Sequence, residues 1–285
     1  MTTWRKASAT IGLASALCAF APAAQAGPLE LYYERVLMST AGGRCNLFSP
    51  DVAASLNASA VQARGAALRG GTPDKTLAAL VRRAQLKAYG LDCKGKDLAV
   101  AAERVRTAFA GYGKIWKMNF PGAHGGWQAD RADPGKLGEA RWRLAQSQGH
   151  IRFGLLADGP NQALTAVLPG NRATGASGAR LVLRDPARAA KPYLDPRKAG
   201  LAGALPPRTS STVILASARG PAPESVGGGV AFSFPGRLGD ALARLDPREA
   251  VVLELVFPTR DGERVESTLF EVGDFAAGRA FLAAR

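Results

Sequence analysis

Between residues 29 and 113, apolar positions recur in steps of three and four, the spacing of amphipathic helices. Leu29, Tyr32, Tyr33, Val36 and Leu37 fall on one stripe, and Gly42 and Gly43 are expected to stop it. Ser49-Pro50 reads as a cap followed by proline in the first turn, and opens a stripe of Val52, Leu56, Ala60, Ala63 and Ala67. Thr72-Pro73 repeats the signal ahead of Leu77, Leu80, Val81, Ala84 and Ala88, with Gly90 as the end. Asp97 is expected to cap a fourth helix carrying Leu98, Ala102, Val105, Phe109 and Tyr112. Joined by short connections, four such helices pack antiparallel.

Past Gly113 the period falls to two. Arg141-Trp142-Arg143-Leu144 and Ile151-Arg152-Phe153 alternate in polarity, with a turn at Gly149-His150 between them. Further strands are expected at residues 164–168, 181–183, 212–216, 230–234, 251–257 and 265–272, with Asp261-Gly262 as the hairpin turn joining the last two. Helices are expected at Leu238–Leu245 and Phe275–Ala284. The fold class is therefore α+β: a four-helix domain over 27–113, an interdomain segment over 114–139, and a mostly antiparallel β-sheet or sandwich domain with two helices over 140–285.

The start of the chain has a different character. Arg5 and Lys6 precede an apolar run from Ile11 to Ala21, and Ala24-Gln25-Ala26 supplies small residues just before Gly27. That layout is a secretory signal peptide over residues 1–26, too short to anchor in a bilayer. Cys18 follows Leu17 rather than a small residue, so it does not read as a lipid attachment site. A periplasmic or secreted chain that spans no membrane is expected. An oxidising compartment lets the remaining pair, Cys45 and Cys93, become a disulfide. Both fall at one end of an up-and-down bundle, after the first and third helices.

The chain has 285 residues and a formal charge of +14, and the leader carries two basic and no acidic residues. The surplus suits an acidic partner, and a solvated arginine-rich surface explains it equally.

Gly90 to Asp97 reads GLDCKGKD, one position short of a phosphate loop. A helix rather than a strand precedes it, its centre is a disulfide cysteine, and Asp97 stands where a hydroxyl should coordinate magnesium, so no nucleotide is expected there. Two histidines, His124 and His150, are too few for a histidine metal centre, and no cofactor is expected. His124 lies in the run Gly122-Ala123-His124-Gly125-Gly126, with Asp130 and Asp133 downstream. It is the one candidate for a hydrolytic base, and no nucleophile is signalled for it. Four Asp-Pro pairs, at Asp133, Asp185, Asp195 and Asp246, read as turns.

The segment most suggestive of binding interleaves Trp116, Trp127 and Trp142 with Lys117, Arg131 and Arg141. Aromatic faces beside cations suit a sugar, a lipid phosphate or a base, and equally suit tryptophans packed inward with solvated charges. The expected partner is a protein or an anionic envelope component. From Gly236 onward, a short helix, an apolar strand, a glycine turn, a second strand and the closing Gly273-Asp274-Phe275-Ala276-Ala277 helix start follow in order. This tail of about 50 residues resembles that of the invasion-associated locus B type of exported bacterial protein. The resemblance implies an exported protein and assigns no residue and no activity.

Overall fold

A computed structural model describes residues 27–170 and 175–284. The expected leader over 1–26 lies outside the described residues. The amino-terminal part is four helices: α1 (Pro28–Cys45), α2 (Pro50–Arg69), α3 (Asp74–Tyr89) and α4 (Lys96–Phe109). Ser49 caps α2 by accepting from Val52 N–H, and proline follows it as expected.

Two boundaries differ from the sequence pattern. Helix α1 runs through Gly42 and Gly43 to Cys45 and closes on left-handed Asn46 (φ 51°). Gly42 serves packing instead of termination, since a Cβ there would sit 2.5 Å from the Phe48 ring. Helix α4 begins at Lys96 with Gly95 as its flanking residue. Asp97 makes no cap bond and lies in the first turn, where a carboxylate complements the helix dipole. Cys45 and Cys93 are disulfide-bonded with Cα atoms 5.4 Å apart, which commits the centre of the GLDCKGKD stretch to a cross-link. No helix among the described residues is long and apolar enough to cross a membrane.

Among the described residues, the rest of the chain builds two antiparallel sheets. The larger contains β1 (Lys117–Phe120), β2 (Trp127–Asp130), β3 (Arg141–Gln148), β4 (Ile151–Asp158), β5 (Asn161–Leu168), β8 (Ala218–Pro221) and β9 (Val230–Ser233). Its strand order is β1-β2-β3-β4-β5-β9-β8. The smaller, ordered β11-β10-β6-β7, contains β6 (Gly178–Arg184), β7 (Ser211–Leu215), β10 (Ala250–Thr259) and β11 (Gly262–Glu271). Three α-helices among the described residues accompany them: α5 (Pro134–Leu137), α6 (Arg237–Ala243) and α7 (Phe275–Ala283). Residues 114–139, expected as an interdomain segment, thus supply two strands of the large sheet and α5. At the β10–β11 hairpin, Thr259 pairs with Gly262, so the turn is Arg260-Asp261, one residue earlier than expected. Gly262, at φ 133°, opens the returning strand.

One core fills the space between the sheets. Phe120, Trp127, Leu144, Phe153 and Phe232 of the large sheet meet Leu181, Leu253, Leu255 and Phe270 of the small one, with Leu238, Phe275 and Phe281 from α6 and α7. Helix α7 lies between β1–β3 on one side and α2 on the other, so it fastens the helices to the sheets. The joint is polar at its centre. Arg69 of α2 grips Asp274 through two bonds of 2.7 Å, and the carboxylate is almost fully buried. Burial raises the Asp274 pKa, and the Arg69 guanidinium opposes that rise. Gly65 keeps the contact open: a Cβ there would lie 2.2 Å from Asp274 Oδ1.

All four Asp-Pro pairs are turns of one kind. Asp133, Asp185, Asp195 and Asp246 each accept, through Oδ1, the backbone N–H two residues ahead, at 2.9–3.1 Å.

Candidate functional site

The structure sends the six aromatic and basic residues singled out from the sequence to three different places. Trp127 is fully buried. Its indole N–H donates to Val272 O at 2.9 Å, and its ring meets Phe275 edge-on at 4.8 Å. Arg131 is buried too. It donates through Nε and Nη2 to Phe281 O, through Nη1 to Tyr112 O and Ile115 O, and lies 3.6 Å over the Phe281 ring. The guanidinium fork thus ties the Phe281 carbonyl near the end of α7 to the Tyr112 and Ile115 carbonyls of the turn ahead of β1. Trp116 is 66% exposed and lies in an apolar recess with Leu137.

Lys117, Arg141 and Trp142 come together on the outer face of the large sheet. They line a cavity of about 200 Å³ with Gln128, Asp130, Glu139, Arg152, Ser225 and Val226. The local backbone explains how. Pairing shifts between Trp142 and Leu144, so Arg143 is a bulge residue. Leu144 points into the main core, whereas Trp142 and Ala145 both face outward against Leu156, Val167, Ala222 and Val226. Without the bulge, Trp142 and Leu144 would share a face; bulges re-aim side chains in this way. The segment between β8 and β9, held by Ser225 Oγ donating to Ala140 O at 2.8 Å, covers this second core and walls the cavity.

Three of the residues that line this cavity have a buried N–H donor with no hydrogen-bond acceptor among the described residues: Arg141 Nε, Trp142 Nε1 and Arg152 Nε. Arg141 lies 3.8 Å from Asp130 and 3.6 Å from Glu139, and Lys117 lies 3.8 Å from Asp130. These contacts are ionic and too long for hydrogen bonds. Arg152 has no ion pair among the described residues. Its strand neighbours are Ser147 and Val167, and its guanidinium stands 5.2 Å over the Trp142 ring. Burial lowers its pKa, with no carboxylate opposing the shift. Three cations therefore face two carboxylates, and Arg152 supplies the surplus. Unpaired buried donors are expensive, and an acceptor bearing negative charge relieves both costs at once.

Sequence reasoning missed Arg152 because it sits in an ordinary strand alternation. The signal available was a lone arginine at an outward position mid-sheet, flanked by apolar residues.

The glycine run around His124 has a different organisation. Successive backbone N–H groups of Ala123, His124 and Gly125 donate to the Glu271 carboxylate at 2.9, 2.6 and 2.8 Å. Such a nest satisfies a buried anion with backbone alone. Gln146 holds the Glu271 main chain in turn, accepting from its N–H at 3.0 Å. Gly122 is required, since a Cβ there would meet Gly125 O at 2.0 Å. The run thus ties the β1–β2 connection to β11, and the His124 side chain is exposed. Among the described residues, no group of three His, Cys, Asp or Glu is placed to hold a metal ion.

Family models, curated proteins and solved structures yield no match to the chain.

Proposed function

We propose that the protein is an exported, non-catalytic binding module whose outer-face cavity takes the oxyanion group of an anionic envelope component. The observation that carries this reading is that Arg141, Trp142 and Arg152 line one cavity with surplus positive charge, and that each has a buried side-chain N–H without an acceptor among the described residues. A phosphate, sulfate or carboxylate supplies acceptors and charge together, and bonds of this charge-assisted kind are the strong ones. The cavity is small, so it takes a single oxyanion group, with the remainder of a larger molecule lying across the surface by Lys117.

Binding of the mature chain, residues 27–285, to lipopolysaccharide and to heparin at two salt concentrations tests the reading. Affinity should fall as salt rises. Arg152→Met should weaken binding about tenfold, the value of one charge-assisted hydrogen bond. Lys117→Gln combined with Arg141→Gln should flatten the salt dependence, and Trp116→Ala should leave affinity unchanged. Binding that is indifferent to Arg152→Met places the ligand elsewhere. The export half is checked separately: amino-terminal sequencing of the chain recovered from a secreting host should start at or within a few residues of Gly27, and a chain retaining Arg5 and Lys6 contradicts it.

A further inference from the structure

The helical part contains a second opening with different chemistry. Helix α1 packs against α2 and α3, and α4 packs against α2, which leaves a groove between α1 and α4. The groove has a volume of about 420 Å³. It is lined by Leu37 and Met38 of α1, Val105 and Phe109 of α4, and the buried Leu56 of α2. An opening of this size, mostly apolar and carrying few polar groups, has the character of a small-molecule site.

The polar groups are unusual for a helix groove. Arg35 of α1 lines it, its Nε is buried, and that nitrogen has no acceptor among the described residues. Burial lowers the Arg35 pKa, and the neighbouring Glu34 and Tyr112 oppose the shift only in part. Arg104 of α4 lines the same groove and, like Arg35, has no ion pair among the described residues; Glu34 is the one carboxylate in the lining. A half-buried guanidinium against an apolar wall is costly unless an anion meets it.

We infer that the α1–α4 groove binds a single-chain amphiphile, with its acyl chain along Leu37, Met38, Leu56, Val105 and Phe109 and its carboxylate head on the Arg35 guanidinium. Two features select this occupant. The apolar lining favours a chain, and the charge complementarity of Arg35 and Arg104 favours an acidic head over a neutral one. Ligand and residues are distinct from those of the outer-face cavity, so each site stands or falls alone.

Calorimetric titration of the mature chain with decanoate, and with decanol as its uncharged twin, tests the inference. Decanoate should bind about tenfold tighter than decanol, the contribution of one charge-assisted bond. Arg35→Met should abolish that preference while the ligand-free variant melts no lower than wild type, because an unpaired charge has been removed. Ala108→Trp fills the groove from an exposed position on α4 and should block both ligands without touching the core. Arg152→Met should leave decanoate affinity unchanged. Absence of decanoate binding, equal affinity for acid and alcohol, or binding that survives Ala108→Trp would overturn it.

Discussion

Arg184→Met should destabilise the protein by about 3–5 kcal/mol, the usual consequence of leaving one member of a buried ion pair alone. Arg184 on β6 and Glu249 just before β10 form a two-pronged pair at 2.5 and 3.0 Å, and both residues are buried. The pair also organises its surroundings. Arg184 Nη1 donates to Ala189 O at 2.5 Å, and Glu249 Oε2 accepts from Asp246 N–H at 2.8 Å. With methionine at 184, the buried Glu249 carboxylate keeps only that backbone donor. Arg184→Met with Glu249→Leu should recover most of the loss, since replacing both partners with apolar groups removes the uncompensated charge. Urea unfolding of the wild type, the single variant and the double variant decides the matter. A single variant within about 1 kcal/mol of wild type would mean that the pair behaves like a surface bridge.

Removing the Cys45–Cys93 disulfide should cost about 4 kcal/mol, because the bridge closes a loop spanning 48 positions and restricts the unfolded chain. The loss should fall first on the helices. Helix α4 packs mainly against α2 and the turn that follows it, joins a small cluster with Met38, Ala41 and Ala88 through Leu98 and Ala102, and is entered through the connection that the bridge anchors. Cys45→Ala with Cys93→Ala should therefore lower protection from hydrogen exchange in α4 well before β10 and β11 are affected. Equal loss in both parts would show that the helices and sheets unfold as one unit.

Local chemistry made much of this architecture readable in advance. Helical stripes, the Ser49 cap, the Asp-Pro turns and the two-cysteine bridge depend on residues close in sequence or on simple bundle geometry. Features created by distant partners were hidden. The extension of α1 past Gly42 depends on Phe48 packing against it, and the His124 run is ordered by Glu271, nearly 150 residues away. The short strands β1 and β2 lacked enough alternation to stand out from an interdomain segment. At the candidate site, Lys117, Arg141 and Trp142 were visible as residue types. Their meeting with Arg152 was not, because the bulge at Arg143 reverses the face that simple alternation assigns to Trp142.

The outer-face cavity is tested most directly through the tryptophan indoles of the ¹⁵N-labelled mature chain. Trp142 N–H lacks an acceptor among the described residues, Trp127 N–H is bonded to Val272 O, and Trp116 lies in a separate recess. Titration with inorganic phosphate should move the Trp142 indole resonance, assigned by its loss in Trp142→Phe, downfield and saturably, while the Trp127 resonance stays in place. The shift should vanish in Arg152→Met. A Trp142 resonance that stays still through titration with phosphate and with heparin oligosaccharide alike would contradict oxyanion binding at this site.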